Sequence, residues 1–295
     1  MRPLLCLLFA LAVHFLPAEE APITPKVRAT AINAVPLEVR PGTNLQLIRA
    51  RLDEVPCTLL FDTGATVTTF DRDFIVRAFP KKELRPVALG GPTNVTAAPV
   101  AFRIGALTLG NAELRDFVGM ALPLGHLTKA AGTRVDGILG MNAMAYAPFV
   151  LAVGKGRVTW YPEGTQCPAG RPLPVSKESP MGLIALEARA TPEGKAFPVL
   201  LDSGASLTVL GGALWPKREG SAVKLATANV NASGDATAQE GRPGDLLLGG
   251  FRLPVRPILG DMCGAYLLGA DALRGAELLI DGKRRTVMAL GETAP

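Results

Sequence analysis

Short runs of alternating apolar and polar residues, broken by turn formers, fill most of the 295-residue chain. That two-residue period predicts strands joined by tight turns. The stretch LQLIRARLDEVPCTLLFDTGA (45–65) reads as a strand, a turn at Asp53-Glu54 and a second strand, and GLIALEARATPEGKAFPVLLDSGA (182–205) repeats it with TPEGK as the turn. Each hairpin runs straight into an aspartate, Asp62 in one and Asp202 in the other. Further on, FRIGALTLGNAELRDFVGMALP (102–123) and DLLLGGFRLPVRPILGD (245–261) both read as strand, Gly-centred turn, strand. Then DGILGMNAMAYAPFVLAVGKGRVTW (136–160) and AYLLGADALRGAELLIDGKRRTVMAL (265–290) each open on an apolar-apolar-Gly element, with GKRR (282–285) as a solvated hairpin turn.

The order of these elements recurs, which predicts a tandem duplication. The aspartates are offset by 202 − 62 = 140 positions, whereas Gly140 and Gly269 are offset by 129, so the second copy is 11 residues shorter over that interval. A repeat of this size is far too long for a solenoid unit. It predicts an all-β, two-lobed fold with few short helices, whose lobes face one another across a pseudo-twofold axis. The boundaries read as a first lobe at 41–161, a Pro-rich linker at 162–181 and a second lobe at 182–292.

Composition agrees with many short strands: 32 glycines, 25 prolines and only 5% aromatic residues against 48% hydrophobic. The first eighteen residues, MRPLLCLLFALAVHFLPA, pair an early Arg2 with an apolar stretch too short to span a membrane, and read as a signal peptide. Export follows as an expectation, to the periplasm or outside the cell, with no stable membrane insertion after the signal is removed. Residues 19–40 form an N-terminal extension that the sequence leaves open as propeptide or tether.

The net charge of +5 falls to 5 − 1 = +4 once Arg2 leaves with the signal, and no basic run points to nucleic acid. Three cysteines remain, Cys57, Cys167 and Cys263, which allow three pairings. Cys57 sits in an apolar strand, which favours Cys167 with Cys263, against the alternative of three free thiols. Only His126 survives signal removal, beside Gly125 in an expected loop. One histidine supplies neither a metal ligand set nor a serine or cysteine triad, so no cofactor is expected.

What remains is the pair of aspartates. A carboxylate at the end of an apolar strand is costly to ionise unless it is paired or hydrogen-bonded. Gly64 and Gly204 allow turns that aim backbone N–H groups at the carboxyls, and the hydroxyls of Thr63 and Ser203 can bond across an interface between lobes. Two carboxyls brought together would share one proton, giving a base and an acid at once, as metal-free amide hydrolysis through water requires.

These residues resemble the aspartic proteases, on the retropepsin-like side. The resemblance rests on Asp-Thr/Ser-Gly-Ala after an apolar run (Asp62 to Ala65, Asp202 to Ala205) and on the later apolar-apolar-Gly elements (Ile138-Leu139-Gly140, Leu267-Leu268-Gly269). It covers roughly residues 41 to 290. It implies a catalytic Asp62/Asp202 dyad supported by Thr63, Gly64, Ser203 and Gly204, a peptide or protein substrate, and a monomer that is an intramolecular pseudo-dimer. It also implies a substrate-covering hairpin, for which the Gly-rich ALGGPT with Leu89, Gly90 and Gly91 is the first candidate and ANVNASGDA (228–236) the second. No tyrosine falls in that region, unlike the pepsins, and Ala65 and Ala205 replace the pepsins' hydroxyl residues. An activity optimum nearer mild acidity follows. The alternative is a secreted peptide-binding or scaffold module on the same fold without useful turnover.

Overall fold

Each hairpin that leads into an aspartate forms as the alternation predicts. Gln46–Leu52 pairs antiparallel with Val55–Phe61, and the turn places Asp53 and Glu54 at φ 42° and 70°. Two successive positive φ values match the right-handed twist of the flanking strands. In the second half, Ala185–Ala188 pairs with Phe197–Leu201 across the residues 191–195. The structure is a computed structural model that describes residues 4–6, 24–40, 42–86, 99–179, 183–228, 233–260 and 266–291. The Leu89-Gly90-Gly91 hairpin tip, most of the signal segment, Cys263 and residues 229–232 lie outside the described residues.

Two lobes of mostly antiparallel sheet result. In the first, nine strands gather around Val55–Phe61 and the long Val100–Leu109/Ala112–Leu122 hairpin, which turns at Gly110 and Asn111. In the second, eight strands gather around Phe197–Leu201 and the hairpin Lys217–Ala228/Ser233–Gly241, whose outer edge also receives Leu4–Cys6 in parallel. A six-stranded antiparallel sheet joins the lobes, in the order Arg171–Leu173, Thr286–Leu290, Glu277–Asp281, Phe149–Ala152, Arg157–Trp160, Asn33–Pro36. Its aromatic residues support the first aspartate loop from below. The Phe61 ring, one residue before Asp62, meets Phe149 edge-on at 6.0 Å and Trp160 at 6.2 Å, and the Trp160 indole donates to the Met144 carbonyl at 2.9 Å. All three rings are fully buried.

Several features differ from the sequence expectations. Residues 26–39 are built into the sheets: Lys26–Arg28 pairs with Glu113–Arg115, Asn33–Pro36 with Arg157–Trp160, and Glu38–Val39 with Gln46–Leu47. Buried Asn33 fixes this segment, donating to the Leu109 carbonyl at 2.7 Å and accepting from the Asn111 N–H at 3.1 Å. The Pro-rich linker also contributes a strand, Arg171–Leu173, whose Arg171 guanidinium donates to the carbonyls of Gly249 and Gly250. Cys57 and Cys167 are free thiols, so the expected Cys167–Cys263 bridge is not made. His126 stands in the helix Gly125–Ala131, not in a loop. That helix packs through Leu127 and Ala131 onto Leu45, Leu47, Leu60 and Ile138 behind the first aspartate loop.

Candidate active site

Both aspartates sit where an apolar strand ends against a second strand. Gly137–Leu139 runs parallel to Leu59–Phe61 and its Leu139 carbonyl accepts the Asp62 N–H at 3.2 Å. Tyr266–Leu268 runs parallel to Val199–Leu201, and the Leu268 carbonyl accepts the Asp202 N–H at 3.1 Å. Each loop is then closed from its far side. Met141 N–H donates to the Ala65 carbonyl and Ala270 N–H to the Ala205 carbonyl, both at 2.8 Å. Gly140 and Gly269 have no room for a side chain, because a Cβ would lie 2.7 Å from the Val67 carbonyl carbon and 2.4 Å from that of Leu207. This is the physical content of the two apolar-apolar-Gly elements: a glycine lets one backbone pass directly over the other.

The two loops grip each other. Ser203 N–H donates to the Thr63 hydroxyl at 2.9 Å, and Thr63 N–H donates to the Ser203 hydroxyl at 3.0 Å. Each hydroxyl then donates onward into the opposite lobe, Thr63 to the Leu201 carbonyl at 2.8 Å and Ser203 to the Phe61 carbonyl at 3.0 Å. Four buried bonds therefore lock the loops in register. Each is worth about 0.5–1.5 kcal/mol net and leaves a costlier orphan when broken.

That register brings the carboxyls together. A Cβ built on Gly64 would fall 2.5 Å from the Asp202 carboxyl carbon, and one on Gly204 would fall 2.4 Å from that of Asp62. Each glycine thus lies against the carboxyl of the other lobe. Asp62 Oδ1 accepts the Gly64 N–H at 2.7 Å, and Asp202 Oδ1 accepts the Ala205 N–H at 2.9 Å. The Oδ2 atoms of both are buried and accept no hydrogen bond from a protein donor among the described residues. Burial raises the pKa of both carboxyls, and the neighbouring Asp202 charge raises that of Asp62 further, while the Gly64 and Gly204 N–H groups pull the other way. Both carboxyls are thereby held above the ordinary carboxylate range.

A supporting shell behind each loop was not legible as such in the sequence. Thr68 hydroxyl accepts the Gly140 N–H at 3.2 Å and donates to the Asn142 amide oxygen at 2.8 Å. Thr208 hydroxyl accepts the Gly269 N–H at 3.1 Å and donates to Asp271 at 2.7 Å. Thr68 and Thr208 stand at the same offset of 140 as the aspartates, which was the signal available for them. Asn142 and Asp271 differ in kind, and burial raises the Asp271 pKa against the hydrogen bonds that lower it. Among the described residues no cluster of His, Cys, Asp and Glu could hold a metal ion.

Residues 48–143 match the family model for aspartyl proteases, a span that includes Asp62, Thr63, Gly64 and Gly140. No curated protein sequence matches the chain. Among solved structures, the aspartic proteinase from Irpex lacteus shares the fold with a TM-score of 0.54 at 12% identity, covering 89% of this chain and 98% of that one. Residues 48–143 thus carry the sequence pattern of the aspartyl proteases, and both lobes together have the fold of an aspartic proteinase.

Proposed function

We propose that the protein is an exported aspartic endopeptidase in which Asp62 and Asp202 act as one shared-proton dyad on peptide bonds. The observation that carries this reading is the crossed packing of the loops, which sets Gly64 on the Asp202 carboxyl and Gly204 on that of Asp62. In this reading the ionised member takes a proton from a water held between the two Oδ2 atoms, and the protonated member donates to the scissile carbonyl oxygen. As the C–N bond of the tetrahedral intermediate breaks, one carboxyl gives its proton to the departing amine and the other takes a proton back from a hydroxyl of the intermediate, so the pair ends with one proton as it began. Thr63, Ser203, Gly64 and Gly204 hold the carboxyls in place, and no metal or covalent intermediate enters. Export rests on the signal-like first eighteen residues, and the intramolecular grip makes a second copy of the chain unnecessary for the site.

A peptide carrying a hydroxyl-bearing carbon in place of the scissile amide tests this directly. It should bind at least about tenfold tighter than the matching amide peptide, as expected for a mimic of a tetrahedral transition state. Asp62→Asn and Asp202→Asn should each abolish that preference. Equal binding of both peptides by the parent would contradict the reading.

A further inference from the structure

The shells that support the two aspartate loops differ at one pair of positions. Asn142 and Asp271 each stand two residues after the glycine that passes over the loop, Gly140 or Gly269. In the first lobe the Asn142 amide is used at both ends. Its oxygen accepts the Thr68 N–H and the Thr68 hydroxyl, each at 2.8 Å, and its nitrogen donates to the Val118 carbonyl at 3.3 Å. In the second lobe Asp271 Oδ1 accepts the Thr208 hydroxyl at 2.7 Å and the Ala272 N–H at 2.8 Å, and Oδ2 has no protein donor among the described residues. An ionised carboxylate has no N–H to put where the Asn142 amide donates.

The chain beside Asp271 differs to match. Met120 N–H donates to the Thr68 carbonyl at 3.0 Å and Ile258 N–H to the Thr208 carbonyl at 2.8 Å, so Val118 in the first lobe corresponds to Arg256 in the second. Arg256 and Asp271 line one pocket of about 520 Å³, together with Pro243, Pro254 and Asp245. That volume falls within the range of small-molecule sites, about 300–1,000 Å³, and the prolines give it stiff apolar walls. Asp245 is paired with Arg252 at 3.6 Å, whereas the exposed Arg256 makes no ion pair with another described residue. Asp271 thus offers the pocket a carboxylate oxygen without a donor, and Arg256 offers it a guanidinium without an acid.

We propose that this pocket binds a small zwitterion of dipeptide size, whose ammonium group meets Asp271 and whose carboxylate meets Arg256. The ammonium supplies the N–H donor that Asn142 carries itself in the first lobe. A ligand with one charge alone leaves the other pocket group unpaired and is repelled by it, an amine by Arg256 and an anion by Asp271 and Asp245. The site lies behind the second aspartate loop, one hydrogen bond from Thr208 and two from Gly269. It is separate from the paired carboxyls and does not depend on peptide cleavage.

The intact protein labelled with ¹⁵N would be titrated by NMR with glycylglycine, and in parallel with glycinamide and N-acetylglycine, which keep only the ammonium or only the carboxylate. Glycylglycine should shift the Ala272 and Gly269 amide signals saturably. Its Kd should be at least about tenfold below that of either counterpart, the effect of about one charge-assisted hydrogen bond. Asp271→Asn keeps an acceptor for Thr208 and removes the charge, and Arg256→Gln removes the guanidinium from an exposed position. Each should weaken glycylglycine binding about tenfold or more. Arg256→Gln decides the point if Asp271→Asn fails to fold. Equal binding of the three probes, no saturable shift at Ala272 with up to about 50 mM glycylglycine, or unchanged binding by a folded variant would each overturn the proposal.

Discussion

Thr63 and Ser203 each accept the other's backbone N–H, at 2.9 and 3.0 Å, although 140 residues separate them. The exchange is what converts two separate strand ends into one site, because it fixes the distance between the carboxyls that follow from each lobe. Thr63→Val and Ser203→Ala should each destabilise the protein by about 1–3 kcal/mol, since each leaves a buried N–H and a buried carbonyl without a partner. Because the residues serve one network, the double variant should lose less than the sum of the two. Urea unfolding of the three variants measures this, and strict additivity would count against a shared grip.

Gly64→Ala and Gly204→Ala probe the close approach itself. A methyl at either position would overlap the opposite carboxyl at about 2.5 Å, so the dyad must separate or the loop must shift. Overpacking of this kind costs about 1–3 kcal/mol of stability. Displacing a reacting group by about 1 Å costs on the order of 100-fold in rate. Values of kcat/KM and Tm for each variant give both readings, and full activity in either would show that the carboxyls are not pressed together as described.

The pH dependence of stability follows from the raised pKa values of the pair. Both carboxyls bind protons more strongly when folded, chiefly because they are buried, so the folded state holds more protons than the unfolded chain. Their contribution to stability is therefore complete below the unfolded carboxylate pKa, about 3.9, and is lost as pH rises through the folded values. Asp62→Asn and Asp202→Asn remove one titrating group without changing its shape. Each should lose less stability than the parent between about pH 4 and about pH 7, as read from urea midpoints at the two pH values.

Asp271 and Asn142 perform one task with different side chains, accepting a hydroxyl proton from Thr208 and Thr68 respectively. Asp271→Asn should keep the fold and most of the activity, because the amide oxygen can accept the same bond. Asp271→Leu leaves the Thr208 hydroxyl without its acceptor beside the Gly269 N–H, and should cost about 1–3 kcal/mol. Melting curves of the two variants distinguish a needed acceptor from a needed charge.

The sequence carried most of the fold and the residues at the centre of the candidate site. Asp62 and Asp202 stood out because each ends an apolar, alternating run with Gly two positions later, and the loss of register at that point is a local signal. Thr63, Ser203, Gly64 and Gly204 were legible as their neighbours. Asp271 was not, because an acidic residue just after Gly269 reads as solvated until Thr208 is seen to bond it. The strands within residues 26–39 were not legible for a related reason: Lys26–Arg28 and Asn33–Pro36 have too few residues to show alternation, and they are held by distant partners at Glu113–Arg115 and Arg157–Trp160. The helix Gly125–Ala131 escaped as well, since a seven-residue helix spans barely two turns of apolar period.

The measurement that tests the central claim most directly is cleavage of a mixed peptide library by the purified protein from about pH 3 to about pH 7.5, beside Asp62→Asn and Asp202→Asn. The dyad predicts that the parent cuts, that activity is favoured in the mildly acidic range where one proton is shared, and that both variants are folded and silent. A parent as silent as its variants across that range would contradict the protease reading and leave the fold as a peptide-binding module.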